Sequence, residues 1–157
     1  MGSCYSSRLE GITSKCVSSG TVISILEDHE ALIRAANKDT NWLLIGMEAE
    51  LTEYLFFKGH KLLEESELCQ GMIDFELQLY DTDYSDLIDS LYEDGFENIK
   101  IVSIVQSLIT RTIEKAENSS LYADTTEIVV VGRYPKGIGQ FFNGKQVMEK
   151  RGFRYNE

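Results

Sequence analysis

Carboxylates are the side chains of this 157-residue chain whose number and spacing could do chemistry. Residues 62–99 contain twelve Asp and Glu residues and no Lys, Arg or His, whereas the formal net charge of the whole chain is −11. Because like charges repel, a folded domain is expected to intersperse counter-charges unless its acidic surface is useful. The segment therefore predicts a surface that binds a cationic partner.

Two predicted elements would present these carboxylates. Alternation of apolar and polar residues predicts a strand over residues 73–80, with Asp74 and Glu76 on its solvent face. Ser85 would begin a short helix over 86–93. Neighbouring tyrosines could serve as apolar anchors of an interface. The predicted partner-binding residues are Asp74, Glu76, Tyr80, Asp81, Asp83, Tyr84, Asp86, Asp89 and Glu93.

The leading functional hypothesis is a small non-enzymatic inhibitor of the antitoxin, immunity or anti-defence type. Its carboxylates would be spaced like phosphates and, as a nucleic-acid mimic, would dock on a basic partner protein such as a nucleic-acid-processing enzyme. Direct binding of nucleic acid is not expected, because the isoelectric point near 4.6 leaves no basic surface for phosphate.

Two alternatives stay open. The tail over residues 133–154 has six basic residues and one acidic residue, so the acidic face of one copy could meet the tail of another in a self-assembling adaptor. A small enzyme using His29 or His60 is the other alternative, although neither histidine lies in a catalytic or metal-binding motif. We therefore predict no enzymatic activity, no metal and no cofactor.

Loop motifs are incomplete. Asp81, Asp83 and Ser85 have the first spacings of an EF-hand, but Asp86 stands where the loop needs Gly and Tyr92 where it needs Glu. The glycine-rich residues 132–139 lack the G-K-[ST] ending of a phosphate loop, so the sequence favours a turn there.

The N-terminus and the cysteines bear on location. Gly2 and Cys4 fit a dual-acylation pattern, so a membrane anchor is expected only if they are modified. No apolar run reaches the length of a membrane span, and three cysteines without metal-type spacing suit a reducing compartment. A cytoplasmic location is the resulting prediction.

Hydrophobic periodicity predicts an α/β or α+β fold with a mixed sheet of about four to six strands and three or four helices mainly on one face. Residues 1–20 are expected to form a flexible or extended arm, and 21–157 one globular domain ending in a β-hairpin at Asn143-Gly144. Strands are predicted over 21–26, 73–80, 99–104 and 126–133. Helices are predicted over 27–36, 41–58, 86–93 and 105–117, with a short strand over 42–45 as an alternative.

Overall fold

The computed structural model describes residues 39–82 and 85–151 of the chain. Several predictions fall outside the described residues and are not considered further. They are the arm over 1–20, the strand over 21–26, the helix over 27–36, and the sites Gly2, Cys4, His29, Asp83 and Tyr84.

The described residues form one five-stranded mixed sheet in the order β3-β2-β1-β4-β5. The strands are β1 (Asn41–Met47), β2 (Thr52–Lys58), β3 (Lys61–Leu68), β4 (Glu127–Gly132) and β5 (Gln146–Arg151). β1, β2 and β3 pair in antiparallel fashion, whereas β4 runs parallel to β1, and β5 runs parallel to β4. The antiparallel half is therefore joined to a parallel half through the β1–β4 pair.

Four α-helices lie between β3 and β4 in the described part of the chain. They are α1 (Met72–Tyr80), α2 (Ile88–Glu93), α3 (Ile99–Ile104) and α4 (Gln106–Glu117), with 3₁₀ turns at Ser85–Leu87, Gly95–Glu97 and, after β4, Ile138–Phe141. Phe75, Leu91 and Ile109 from the helices pack in one cluster with Ile45 and Val130 from the sheet. The predicted class, a mixed sheet with three or four helices, is confirmed.

The central strands explain which sequence patterns were misleading. In β1 and β4 the residues of both sheet faces are buried, so each strand is a continuous apolar run. The run in β4 was predicted correctly as a central strand. In contrast, the helix predicted over 41–58 is wrong, because β1 and β2 occupy this stretch. The alternative strand over 42–45 is confirmed. The helix was predicted because a stretch that is apolar on both faces of a strand also satisfies the helical period.

Residues 73–80 form helix α1 and not the predicted strand. Met72, Phe75 and Leu79 face the core, while Ile73 and Leu77 remain exposed, so the alternating pattern does not separate a buried face from a wet one. A helix-start signal was present, because a carboxylate oxygen of Asp74 accepts the backbone N–H of Gly71 at 2.8 Å. The strand predicted over 99–104 is likewise a helix, α3, which the side chain of Asn98 caps.

The C-terminal hairpin at Asn143-Gly144 does not form. β5 pairs in parallel with β4, so the chain between them crosses over through the 3₁₀ turn Ile138–Phe141. Strand β3 was not predicted. It lies at the partly exposed edge of the sheet, where charged residues such as Glu64, Glu65 and Glu67 are common and weaken the apolar pattern of a strand.

The end of β4 lies unusually close to the end of β1. Gly132 has φ +101°, and a Cβ atom there would lie 2.2 Å from the carbonyl oxygen of Met47. Replacing Gly132 by Ala would therefore force the two central strands apart.

We expect Gly132→Ala to lower the free energy of unfolding by at least about 2 kcal/mol in urea titrations. Gly144→Ala is the matched control, because Gly144 also has positive φ (+74°) but has no atom within 4 Å of a new Cβ. The control should lose about 1 kcal/mol from backbone strain. Equal losses in the two variants would contradict the close approach of β1 and β4.

Candidate partner-binding site

Asp74 and Glu76 are held within the fold and are not displayed on a strand. Asp74 lies in the first turn of α1, where its carboxylate accepts the Gly71 N–H. Glu76 accepts a hydrogen bond from the hydroxyl of Tyr92 on α2. Both carboxylates are half-buried, so the predicted placement on a solvent-facing strand is corrected to roles in capping α1 and in joining α1 to α2.

The other described carboxylates of the predicted site are exposed. Asp81 caps the C-terminus of α1, Asp86 lies in the 3₁₀ turn before α2, and Asp89 and Glu93 lie on α2. The helix predicted over 86–93 is confirmed in this region, with Leu91 in the core. We call Asp81, Asp86, Asp89 and Glu93 the acidic surface.

An apolar ridge on α1 adjoins these acids. Ile73, Leu77 and Tyr80 are 40%, 54% and 58% exposed. Their i, i+4, i+7 spacing places them on one side of the helix. Only Tyr80 was predicted as a site residue, because the strand interpretation buried Ile73 and Leu77. We call these three side chains the α1 ridge.

Two lysines of the basic tail, Lys136 and Lys145, have partners within the fold. Lys136 lies 3.5 Å from Glu97. The ammonium group of Lys145 donates to the carbonyl oxygens of Tyr122 and Thr125 at 2.8 and 2.7 Å and lies 4.4 Å from the centre of the Tyr122 ring. Burial, and then the charge of Glu117, raises the pKa of the Tyr122 hydroxyl. These contacts fix the β4–β5 crossover to the rest of the fold.

A buried polar network attaches the helical layer to the sheet. Tyr54 on β2 donates its hydroxyl to the carbonyl of Thr112 on α4 at 2.8 Å, and burial raises the pKa of this hydroxyl. The side-chain amide nitrogen of Gln70 donates to the Leu108 carbonyl and to the Thr112 hydroxyl, and the backbone carbonyl of Gln70 accepts from the Thr52 hydroxyl. The side-chain carbonyl oxygen of Gln70 is buried without a hydrogen-bond partner among the described residues. We assign the hydrogen-bonded groups of this network a structural role.

The carboxyl ends of the parallel strands β1 and β4 lie side by side, at the position where many open α/β sheets have a ligand-binding crevice. The chain leaves β1 towards β2 and leaves β4 towards β5, so the connections diverge at this point. Glu48, which follows β1, is 5% exposed, and Glu53 on β2 is fully buried opposite Glu67 on β3. Two buried carboxyl groups therefore lie at this end of the sheet.

Backbone N–H groups near the crevice already have acceptors within the protein. At the start of α1, Met72 and Ile73 donate to the carbonyls of Glu48 and Ala49 at 3.0 and 2.9 Å. In the loop after β4, the carboxylate of Glu149 accepts the N–H groups of Gly137 and Gly139, both at 2.9 Å. The groups that could cradle a phosphate are thus committed to carbonyls and a carboxylate.

Other chemistry-bearing residues are scattered. His60 is exposed in the β2–β3 turn, and Cys69 is disulfide-bonded. Within residues 39–82 and 85–151, no cluster of three His, Cys, Asp or Glu side chains could hold a metal ion. No helix in the same ranges is long and apolar enough to cross a membrane.

No protein-family model and no curated protein sequence matches this chain. Solved structures match by fold. A PilM–PilN type IV pilus biogenesis complex aligns with a TM-score of 0.58 and 15% identity over 76% of this chain and 38% of that one. The ethanolamine utilization protein EutJ of Carboxydothermus hydrogenoformans aligns with a TM-score of 0.51 and 17% identity over 75% of this chain and 48% of that one.

This likeness shows a shared fold. The prediction of a small acidic inhibitor is wrong, because the proteins that share the fold belong to a pilus biogenesis complex and to ethanolamine utilization and are not inhibitors or immunity proteins. The chain spans less than half the length of either matched structure. One of the matched structures is itself a complex, that of PilM with PilN.

Two acids of α1 should respond oppositely to loss of charge. We expect Asp74→Ala to lower the free energy of unfolding by about 1 kcal/mol, because the cap on Gly71 is lost. Asp81→Asn should raise it by about 0.3–1 kcal/mol, since Asp81 places a negative charge at the negative end of the helix dipole. Urea unfolding at low salt measures both changes, and a shift of the same sign in both variants would contradict the assigned roles.

Proposed function

We propose that this chain is a non-enzymatic protein-binding module of a larger assembly, built on part of the fold of the matched structures, and that its partner is basic. Its role is to hold another protein in place, without turnover of a nucleotide. A fold can host many unrelated functions, so the function is inferred from this chain's own side chains and the fold serves only as their scaffold.

The observation that carries the proposal is the state of the crevice between β1 and β4. A nucleotide phosphate needs free N–H donors or cations. The start of α1 instead donates to the carbonyls of Glu48 and Ala49, and Gly137 and Gly139 donate to Glu149. A phosphate at this position would have to displace these acceptors, which opposes nucleotide binding.

The acidic surface supports a basic partner. Asp81, Asp86 and Asp89 are exposed at the end of α1, in the following 3₁₀ turn and on α2, and the segment from 62 to 99 carries no basic side chain. Charge complementarity of this kind raises association rates and selects against wrong partners more than it raises affinity. An assembly module needs such selectivity.

Millimolar Mg-ATP or Mg-ADP should leave the thermal unfolding midpoint of this chain unchanged. Ligand that binds the folded state stabilises it, so a true nucleotide site would shift the midpoint as the concentration exceeds the dissociation constant. Differential scanning fluorimetry with the two nucleotides, and with Mg²⁺ alone as the reference, measures this directly. A saturable rise with nucleotide would refute the non-enzymatic part of the proposal.

Capture from native extract tests the partner. The bait carries a C-terminal tag, and its triple variant Asp81→Asn, Asp86→Asn, Asp89→Asn should lose the basic protein that the unmodified bait retains. A second triple variant, Glu114→Gln, Glu117→Gln, Asp124→Asn, changes the net charge equally at exposed positions elsewhere and should keep it. Equal capture by all three baits, read by quantitative mass spectrometry, would show that the acidic surface is not the binding surface.

A further inference from the structure

Helix α1 is apolar on two sides. At about 100° per residue, the α1 ridge lies roughly 130° around the helix axis from Met72, Phe75 and Leu79, which face the core. A helix that only covers a sheet needs one apolar stripe. The second stripe, of Ile73, Leu77 and Tyr80, is left exposed to solvent by the fold.

Carboxylates flank the ridge on both sides. By the same rotation, Glu76 lies between the ridge and the core on one side, and Asp74 and Asp81 lie on the other. Contiguous exposed apolar side chains rimmed by polar groups mark interaction sites, whereas isolated ones are ordinary. The ridge is therefore an apolar strip with a negative border along each long edge.

We propose that the α1 ridge is the docking site for an amphipathic helix of the partner, whose apolar stripe packs on Ile73, Leu77 and Tyr80 and whose flanking Lys or Arg side chains meet the bordering carboxylates. This inference rests on the proposed partner-binding function and names the surface and the chemistry of the partner segment. The i, i+4, i+7 spacing of the three side chains fits one helix packed against another.

Charge decides between a partner and a second copy of this chain. Two α1 ridges packed on each other would bring Glu76, Asp74 and Asp81 of both copies together. No Lys, Arg or His between residues 62 and 99 could neutralise them. A helix with basic borders buries the same apolar strip and gains complementary charge, so it is the favoured occupant.

The test uses synthetic peptides of about five helical turns with Leu on one face. The first peptide has Lys along both borders, the second has Glu in the same positions, and the third has the composition of the first in scrambled order. Fluorescence anisotropy should show saturable binding of the Leu/Lys peptide to the full chain. Binding of the Leu/Glu and scrambled peptides should be at least about tenfold weaker.

Ridge variants separate apolar docking from charge attraction. The double variant Ile73→Ser, Leu77→Ser should bind the Leu/Lys peptide at least about tenfold more weakly than the parent does. Leu63→Ser with Ile99→Ser makes the same chemical change at exposed positions off the ridge and should leave binding unaltered. Because all four side chains are exposed, both variants should keep the circular dichroism spectrum and unfolding midpoint of the parent.

Three results would overturn the inference. The first is that the ridge variant binds the Leu/Lys peptide as tightly as the parent does. The second is that the parent binds the Leu/Glu peptide as tightly as the Leu/Lys peptide. The third is that the parent is a dimer and the ridge variant is a monomer. If extract capture still depends on the acidic surface while the ridge variant binds the peptide normally, this inference fails and the proposed function stands. If extract capture no longer depends on the acidic surface while peptide binding still depends on the α1 ridge, the proposed function fails and the ridge remains a docking site for a helix.

Discussion

Parallel pairing of β1 with β4, buried on both faces, is the constraint on which the rest of this structure depends. Two parallel neighbours require a long crossover, and here residues 48–126 provide strands β2 and β3, four helices and the return to β4. The helices must cover Leu43, Ile45 and Val130, so their positions follow from the strands they bury. Tyr54 and Gln70 then fix α4 above the sheet through hydrogen bonds that have no access to water.

The same pairing accounts for the state of the crevice. Because Gly132 and Met47 are in register at the ends of their strands, the following loops are brought together. The turn after β1 offers its carbonyls to the start of α1, and Glu149 on β5 reaches the loop after β4. A site that could receive an anion from outside is thereby closed from within. The fold shared with the matched structures and the internal hydrogen bonds of these N–H groups are compatible, since a fold constrains the backbone much more than it constrains side-chain chemistry.

The acidic segment has two physical roles that its composition alone could not separate. Asp74 and Glu76 are half-buried and stabilise helix α1 and its contact with α2 through hydrogen bonds. Asp81, Asp86 and Asp89 remain exposed. Exposed apolar side chains rimmed by charged groups are typical of protein interfaces.

The sequence by itself determined the class of fold, the central strand β4, the helices α2 and α4, and the presence of a concentrated negative charge. Each depends on local composition or on a period sustained within one element, and exposed Asp and Glu are visible from composition because burial would be too costly. Tertiary structure alone decided that residues 41–58 are two strands, that 73–80 and 99–104 are helices, and that β5 joins β4 in parallel. A stretch such as Ile73 to Tyr80 carries apolar residues at both periods, and only packing against β1, β2 and β4 selects which of them are buried. The exposure of Ile73 and Leu77, and with it the α1 ridge, follows from that selection.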